Sequence, residues 1–126
     1  MKIEEKLKQR YLYSKNLNLP KLLYFFFQFL KFKLNPRKLN SNWGVDLIVK
    51  DFFKNKKDGI YIDVGCHHPI INNNTQILSS IGWRGINIDL DFSSIDMFNY
   101  FRPKDHNIKV ALSDKKGSSN LYFFHN

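Results

Sequence analysis

Residues 59–69 read GIYIDVGCHHP, and residues 82–89 read GWRGINID. Each stretch holds a short run of apolar and β-branched residues next to a glycine, at 60–64 and at 85–89, which is typical of a strand. The 20 residues between Val64 and residue 85 are enough for one helical crossover. Two strands joined in this way pair in parallel, so this stretch predicts the start of a parallel sheet.

The flanking segments continue the alternation of strands and helices. Helices are predicted at residues 46–53, from a capping Asn74 or Thr75 to 81, and at 91–101. Further strands are predicted at 108–112 and 121–124. We therefore predict an α/β fold, with a parallel sheet that helices cover on both faces.

The first 40 residues form a distinct segment, because they carry +8 of the chain's net charge of +9. We predict a short polar helix over residues 2–15, a break over 16–20 caused by proline, and a second helix over 21–34. The chain thus divides into a basic, aromatic-rich helical arm, residues 1–40, and an α/β body, residues 41–126.

The second predicted helix is apolar around almost its whole circumference. One face carries Leu22, Leu23, Phe26, Phe27, Leu30 and Leu34, and Tyr24, Phe25 and Phe29 widen it. Such a helix needs cover, either by protein or by a lipid interface. Packing through Phe26, Phe27 and Leu30 is favoured, because the neighbouring lysines do not form one continuous face.

Composition excludes several classes of protein. The 126 residues suffice for one domain, and a single Cys excludes a disulfide framework or a zinc site of several thiolates. The excess of Lys over Arg argues against base-specific nucleic-acid recognition, and an AT-rich codon bias also produces such an excess. With neither a signal peptide nor a spanning segment in the sequence, we predict a cytoplasmic protein whose arm is a candidate for contact with the inner face of the membrane.

The candidate site lies where the first two predicted strands end. Ligands of parallel sheets bind beyond the carboxyl ends of the strands. Gly65 there allows close backbone approach, and Asp89 can accept hydrogen bonds from a ribose. The glycines that grip a pyrophosphate and the lysine of a phosphate loop are both missing, so a nucleoside without phosphates, such as S-adenosylmethionine, fits better.

Several motifs of the body, in their order and spacing, resemble the FkbM family of methyltransferases. These are residues 59–69, Asn74-Thr75, residues 82–89, Arg102-Pro103, Asp105, Asn107-Ile108, residues 111–113, Gly117 and residues 121–124, preceded by Gly44, Asp46 and Phe53. The resemblance implies a Rossmann-like fold that uses S-adenosylmethionine to methylate hydroxyl oxygens of sugars or secondary metabolites.

By the same resemblance, Asp63, Gly65, Cys66 and His67 lie in the cofactor loop, and Asp89 lies at the ribose position. The resemblance assigns no general base. The acceptor it implies is a small molecule with a hydroxyl group.

The chain departs from the family pattern in two places. Asp91 follows Asp89 closely, so either carboxylate is a candidate for the ribose ligand. The resemblance also covers only the first half of the family's domain, so we expect a sheet truncated after about four strands. We expect weak or no methylation by this chain alone, unless a second chain completes the fold. The alternative is an inactive Rossmann-like fragment whose basic arm binds an anionic membrane surface or a partner.

Three residues of the predicted loop have other interpretations. Cys66, His67 and His68 suggest a metal site, but adjacent side chains cannot all point at one ion without strain, so no metal is predicted. The two histidines shape the loop, or one of them acts as a general base. Asp63 either belongs to the cofactor site or accepts hydrogen bonds from the loop.

Overall fold

A computed structural model describes residues 2–14, 18–54, 56–120 and 122 of the chain. Its helices are α1 (Ile3–Tyr13), α2 (Asn18–Leu34), α3 (Val45–Phe53), α4 (Gln76–Ser80) and α5 (Phe92–Phe101), with a 3₁₀ turn at Asn42–Gly44. The strands β1 (Ile60–Val64), β2 (Arg84–Asp89) and β3 (His106–Lys109) form one sheet in the order β1-β2-β3. Both pairings are parallel, which confirms the predicted α/β class.

The helix α2 begins earlier than predicted. Of the predicted break at residues 16–20, the first two residues lie outside the described part of the chain, and Asn18–Pro20 are helical. Proline is tolerated here because the N–H groups of the first helical turn have no partner within the helix. The break that we predicted from Pro20 is therefore wrong for residues 18–20.

The third strand is also displaced from its prediction, because it covers His106–Lys109 and not residues 108–112. Its position follows the register with β2, in which Ile86 pairs with His106 and Asp89 with Lys109. The polar Asn107 belongs to the strand because its side-chain oxygen accepts a hydrogen bond from Asn87 Nδ2 at 2.8 Å. Apart from Tyr122, the predicted fourth strand at 121–124 lies outside the described residues.

One face of the sheet, the inner face, is covered by helices. Tyr61 on this face packs with Leu78 of α4 and with Trp83, in a cluster that also contacts α3. Gly85 pairs with Tyr61 across the strands, and a Cβ at this position would come within 2.4 Å of the Tyr61 ring. Only glycine therefore fits at the closest approach of the two strands on this face.

The opposite face, here called the outer face, is largely uncovered. The strand register places these apolar side chains on it: Ile60, Ile62, Val64, Ile86, Ile88 and Ile108. Ile62, in the middle of β1, is 64% exposed, and the other edge of β1 pairs with no described strand. The predicted cover on both faces is therefore wrong for the described part of the chain.

The arm packs on the body through α5. Tyr11 of α1 is buried and donates a hydrogen bond to Asp96 Oδ2 at 2.9 Å, and Lys21 Nζ of α2 lies 3.0 Å from Asp96 Oδ1. Phe25 is completely buried, with its ring centroid 5.4 Å from that of Tyr100. Packing of the arm, favoured from the sequence, is what the structure shows.

The buried side of α2 differs from the predicted one. Tyr24, Phe25 and Gln28 are buried, whereas Phe26 and Leu30 are exposed, so the predicted packing through those two residues is wrong. Gln28 is drawn inward because its amide donates to Glu4 of α1 at 2.9 Å. No helix among the described residues is long and apolar enough to cross a membrane.

Candidate functional site

The carboxyl ends of β1 and β2 meet at one edge of the sheet, where the chain turns sharply after Val64. The backbone N–H groups of Gly65 and Cys66 both donate to Ile88 O, at 2.9 and 3.2 Å, so the turn lies across the end of β2. Gly65 has a φ of +67° and no heavy atom within 4 Å of the position that a Cβ would occupy. The turn therefore requires glycine for its conformation and leaves open space beside it.

Asp89 ties this turn to the end of β2. Its Oδ2 accepts the backbone N–H of His67 at 2.8 Å, and its Oδ1 accepts that of Asp91 at 2.9 Å. His67 has a φ of +54°, a left-handed conformation that is uncommon for a residue with a side chain. Asp89 thus holds a strained residue of the loop in place, and each of its oxygens keeps a further lone pair for another donor.

Asp91, the other candidate for the ribose ligand, caps α5. Its Oδ1 accepts the backbone N–H of Ser93 at 3.0 Å and its Oδ2 accepts the Ser93 hydroxyl at 2.8 Å. This is the usual role of an N-cap carboxylate, and it turns the Asp91 side chain toward the helix. Asp89 is therefore the better placed of the two for a ligand next to Gly65.

Asp63 lies beneath the loop and accepts hydrogen bonds from its side chains. Its Oδ2 accepts the Thr75 hydroxyl at 2.7 Å and the Asn73 amide at 3.1 Å. Thr75 occupies the N-cap position of α4, as one of the two predicted caps. Its side chain makes no hydrogen bond to the first turn of the helix, so the predicted capping interaction is wrong. The structural interpretation of Asp63, that it satisfies donors of the loop, is the one its contacts support.

Arg102 is the buried centre of the loop's polar contacts. Its guanidinium donates to Tyr61 Oη, Pro69 O, Asn73 Oδ1, Thr75 Oγ1 and Gln76 Oε1. Tyr61 in turn donates to Asp105 Oδ2 at 2.7 Å, and burial of its ring raises the Tyr61 pKa to about 12. Through these hydrogen bonds, the planar guanidinium of Arg102 joins β1, the loop and the end of α5.

Cys66 points away from the open side of the turn. Its side chain is buried against Ile95 and Phe98 of α5. Burial, together with the charges of Asp63 and Asp89, raises the pKa of the Cys66 thiol to about 12. A thiol this difficult to ionise is a packing residue and not a nucleophile.

The two histidines of the loop have opposite environments. His67 is exposed, whereas His68 is buried beneath α2, with its ring centroid 5.7 Å from that of Phe32. His68 Nδ1 accepts the backbone N–H groups of Ile70 and Ile71, both at 3.0 Å. Burial and the neighbouring positive charges lower the His68 pKa to about 4, so its ring is neutral and its Nδ1 is free to accept the two loop N–H groups.

The structure separates the predicted site residues into two groups. Gly65, His67 and Asp89 meet at the edge of the sheet, whereas Asp63 and Cys66 lie beneath the loop and support it. Among the described residues, no group of three histidine, cysteine or acidic side chains is arranged to hold a metal ion. The role of Arg102 could not be predicted from the sequence, since only the fold brings it to residues 26 to 41 positions earlier in the chain.

Comparison of the chain with protein-family models, with curated proteins and with solved structures gave no match. The α/β fold class follows from the sheet itself, which in the described part of the chain is open, parallel and three-stranded, with helices on one face.

Proposed function

We propose that this chain belongs to a Rossmann-like methyltransferase that binds S-adenosylmethionine at the ends of β1 and β2 and methylates a hydroxyl group of a sugar or secondary metabolite. One observation carries the proposal. The Asp89 carboxylate, at the end of β2, is joined directly to the turn that follows β1, and the space beside Gly65 is open. Parallel sheets bind nucleosides at this place, and a carboxylate there suits a ribose diol.

The residues present fit this cofactor better than a dinucleotide. Asp89 has acceptor capacity beyond its two backbone donors, which the ribose hydroxyls would use. Asp63 and Asp89 add negative charge near the loop, which favours a ligand with a cationic sulfonium. The turn has no second glycine to admit a pyrophosphate. When bound, S-adenosylmethionine would supply its methyl group to a hydroxyl oxygen of the acceptor, with the neutral thioether as the leaving group.

The chain's own residues would mainly position the reactants, which is the main requirement of such a displacement. Asp89 would orient the ribose, while Asp63 and Arg102 keep the loop rigid from beneath. His68 is not a candidate base, because its Nδ1 is engaged by two backbone donors and its pKa is lowered to about 4. His67 is exposed beside Asp89 and is the histidine of the loop that a substrate could reach.

The acceptor side of the site would need further protein. The free edge of β1 and the apolar outer face adjoin the proposed cofactor loop, and additional strands or a second chain would pair and pack there. We therefore expect this chain alone to bind the cofactor but to show weak or no methylation. Transfer of a labelled methyl group to sugar hydroxyls by the isolated chain would contradict this part of the proposal.

Isothermal titration of the folded chain with S-adenosylmethionine tests the cofactor site. Asp89→Asn should weaken binding by about 5- to 100-fold, since it removes a charged acceptor from the ribose hydroxyls. Asp58→Asn is the matched control, because Asp58 is exposed and lies just before β1, at the opposite end of the strand from the cofactor loop, and should leave binding unchanged. Circular dichroism of each variant verifies that it is folded.

The remaining outcomes of this titration are equally informative. Equal binding by the native chain and Asp89→Asn would place the ribose elsewhere, and Asp91→Asn would then be measured in the same way. Absence of binding at millimolar cofactor would contradict the proposal and favour the alternative, an inactive α/β body.

A further inference from the structure

The side of α2 that faces away from the body is apolar. Leu22, Phe26 and Phe29 follow one another at helical spacing on this side, and Phe26 is 53% exposed. Leu23, Leu30 and Leu34 extend the same surface around the helix, and all three are exposed. We call these six residues the α2 face. An apolar surface this wide on a helix that is already docked through its opposite side is not needed for folding.

A groove runs from the α2 face to the end of α5. One cavity of about 320 Å³ is lined by Phe26, Phe29, Tyr100 and Phe101. A second cavity, of about 310 Å³, shares Phe29 and Phe101 and is also lined by Lys33 and Arg37. The groove is therefore apolar along α2 and cationic at its end, which complements the apolar tail and negative head of an anionic amphiphile.

The charges around the α2 face are all of one sign. Residues 18–40 contain five basic residues and no acidic residue. Lys21 and Lys31 are ion-paired within the protein, with Asp96 and Glu4. Lys33, Arg37 and Lys38 are exposed beside or beyond the end of the helix. This surface would attract an anionic partner, and two copies of it would repel each other.

We propose that the α2 face is a membrane-docking surface, which lies in the interface of a bilayer that contains anionic phospholipid. The apolar side chains enter the acyl boundary, and Lys33 and Arg37 contact the headgroups. An amphipathic helix with apolar residues on one side and basic residues at its edge binds membranes in this way. The proposal does not depend on the cofactor site, since the two surfaces share no residue.

Vesicle flotation of the full chain tests the proposal. Binding is expected to vesicles of phosphatidylcholine with 30% phosphatidylglycerol and to be at least ten-fold weaker with phosphatidylcholine alone. Raising the salt to about 1 M should weaken binding several-fold, because the screening length falls to about 3 Å. Equal binding to both vesicle types, or binding indifferent to salt, would overturn the proposal.

Four variants locate the contact. The first variant combines Phe26→Ser with Phe29→Ser and should abolish flotation. The second combines Lys33→Glu with Arg37→Glu and should weaken flotation by roughly ten-fold or more, since each cation near an anionic surface strengthens binding about five-fold. Phe52→Ser and Lys50→Glu are the matched controls, because both residues are exposed on α3, and each should retain binding. Circular dichroism verifies the fold of all four.

Two further results would also overturn the proposal. If Ile62→Ser abolishes flotation and the double phenylalanine variant does not, the membrane contact belongs to the outer face of the sheet. If the chain fails to float but forms a dimer in analytical ultracentrifugation that Phe26→Ser with Phe29→Ser dissociates, the α2 face is a protein interface.

Discussion

His68 shows how one residue can couple the loop to pH. The ring stays neutral because its burial disfavours the charged form, and because the nearby positive charges of Lys31 and Arg37 disfavour another one. Protonation of Nδ1 would also remove the acceptor of two backbone N–H groups. Its pKa of about 4 lies below the unfolded value of 6.5. The unfolded chain therefore binds more protons than the folded chain between these two values. The stability that depends on neutral His68 is complete above about pH 6.5 and is lost as the pH falls from there to about 4.

Urea denaturation at pH 7 and at pH 4.5 checks this coupling. We expect the native chain to lose up to about 3 kcal/mol through His68 over this range, in addition to losses from carboxylates. His68→Asn keeps an acceptor near the same position without titrating, so its free energy of unfolding should fall less between the two pH values. Identical pH dependence of the two proteins would show that His68 is not the responsible group.

Helix α2 has two apolar sides, and only one of them contributes to folding. Tyr24, Phe25 and Gln28 face α1 and α5, whereas Phe26 and Leu30 face outward. Two ion pairs at the edges of the buried side, Lys21 with Asp96 and Lys31 with Glu4, fix the rotation of the helix about its axis. The hydrogen bond from Lys31 lowers the pKa of Glu4, as expected for a carboxylate stabilised in its charged form.

Two neighbouring phenylalanines on this helix form a matched pair of substitutions. Phe25→Ala should lower the free energy of unfolding by about 3–5 kcal/mol, since it opens a cavity among Tyr11, Tyr24 and Met97. Phe26→Ala should lower it by less than about 1 kcal/mol, because this ring is largely exposed. Chemical denaturation of both variants measures the difference. Similar losses in the two variants would mean that α2 docks with a different rotation.

The molecule as a whole has an unequal distribution of its apolar surface. The inner face of the sheet is buried beneath α4 and α5, while the outer face leaves several isoleucines and the edge of β1 exposed. A sheet in this state has both an apolar patch and free backbone groups, the two features that lead strands to associate. The outer face is therefore a surface through which we expect two copies of the chain to associate.

We expect the chain to self-associate as its concentration rises, and Ile62→Thr to reduce this association. Threonine keeps the preference for a strand while it lowers the apolar area at the centre of the outer face. The substitution should change the free energy of unfolding by no more than about 0.5–1 kcal/mol, because the side chain is already 64% exposed. Light scattering after size exclusion measures the association. An unchanged distribution of masses would exclude the outer face as its cause.

Local patterns in the sequence were sufficient for the alternation of strands and helices, the parallel pairing of β1 with β2, and the position of Gly65 at a tight turn. Each of these depends on residues close together in the chain, where apolar spacing and glycine act directly on the backbone. The candidate pair of Gly65 and Asp89 could be predicted for the same reason, since strand ends in a parallel sheet meet at one edge.

Only the tertiary structure decided which surfaces are covered and which side chains support the loop. The orientation of α2 follows from Glu4 and Asp96, and the start of β3 follows from the Asn87–Asn107 pair. Arg102 reaches Tyr61 across 41 positions of sequence. Contacts of this kind depend on how elements pack and on which buried polar groups find partners, and periodicity along the chain contains neither kind of information.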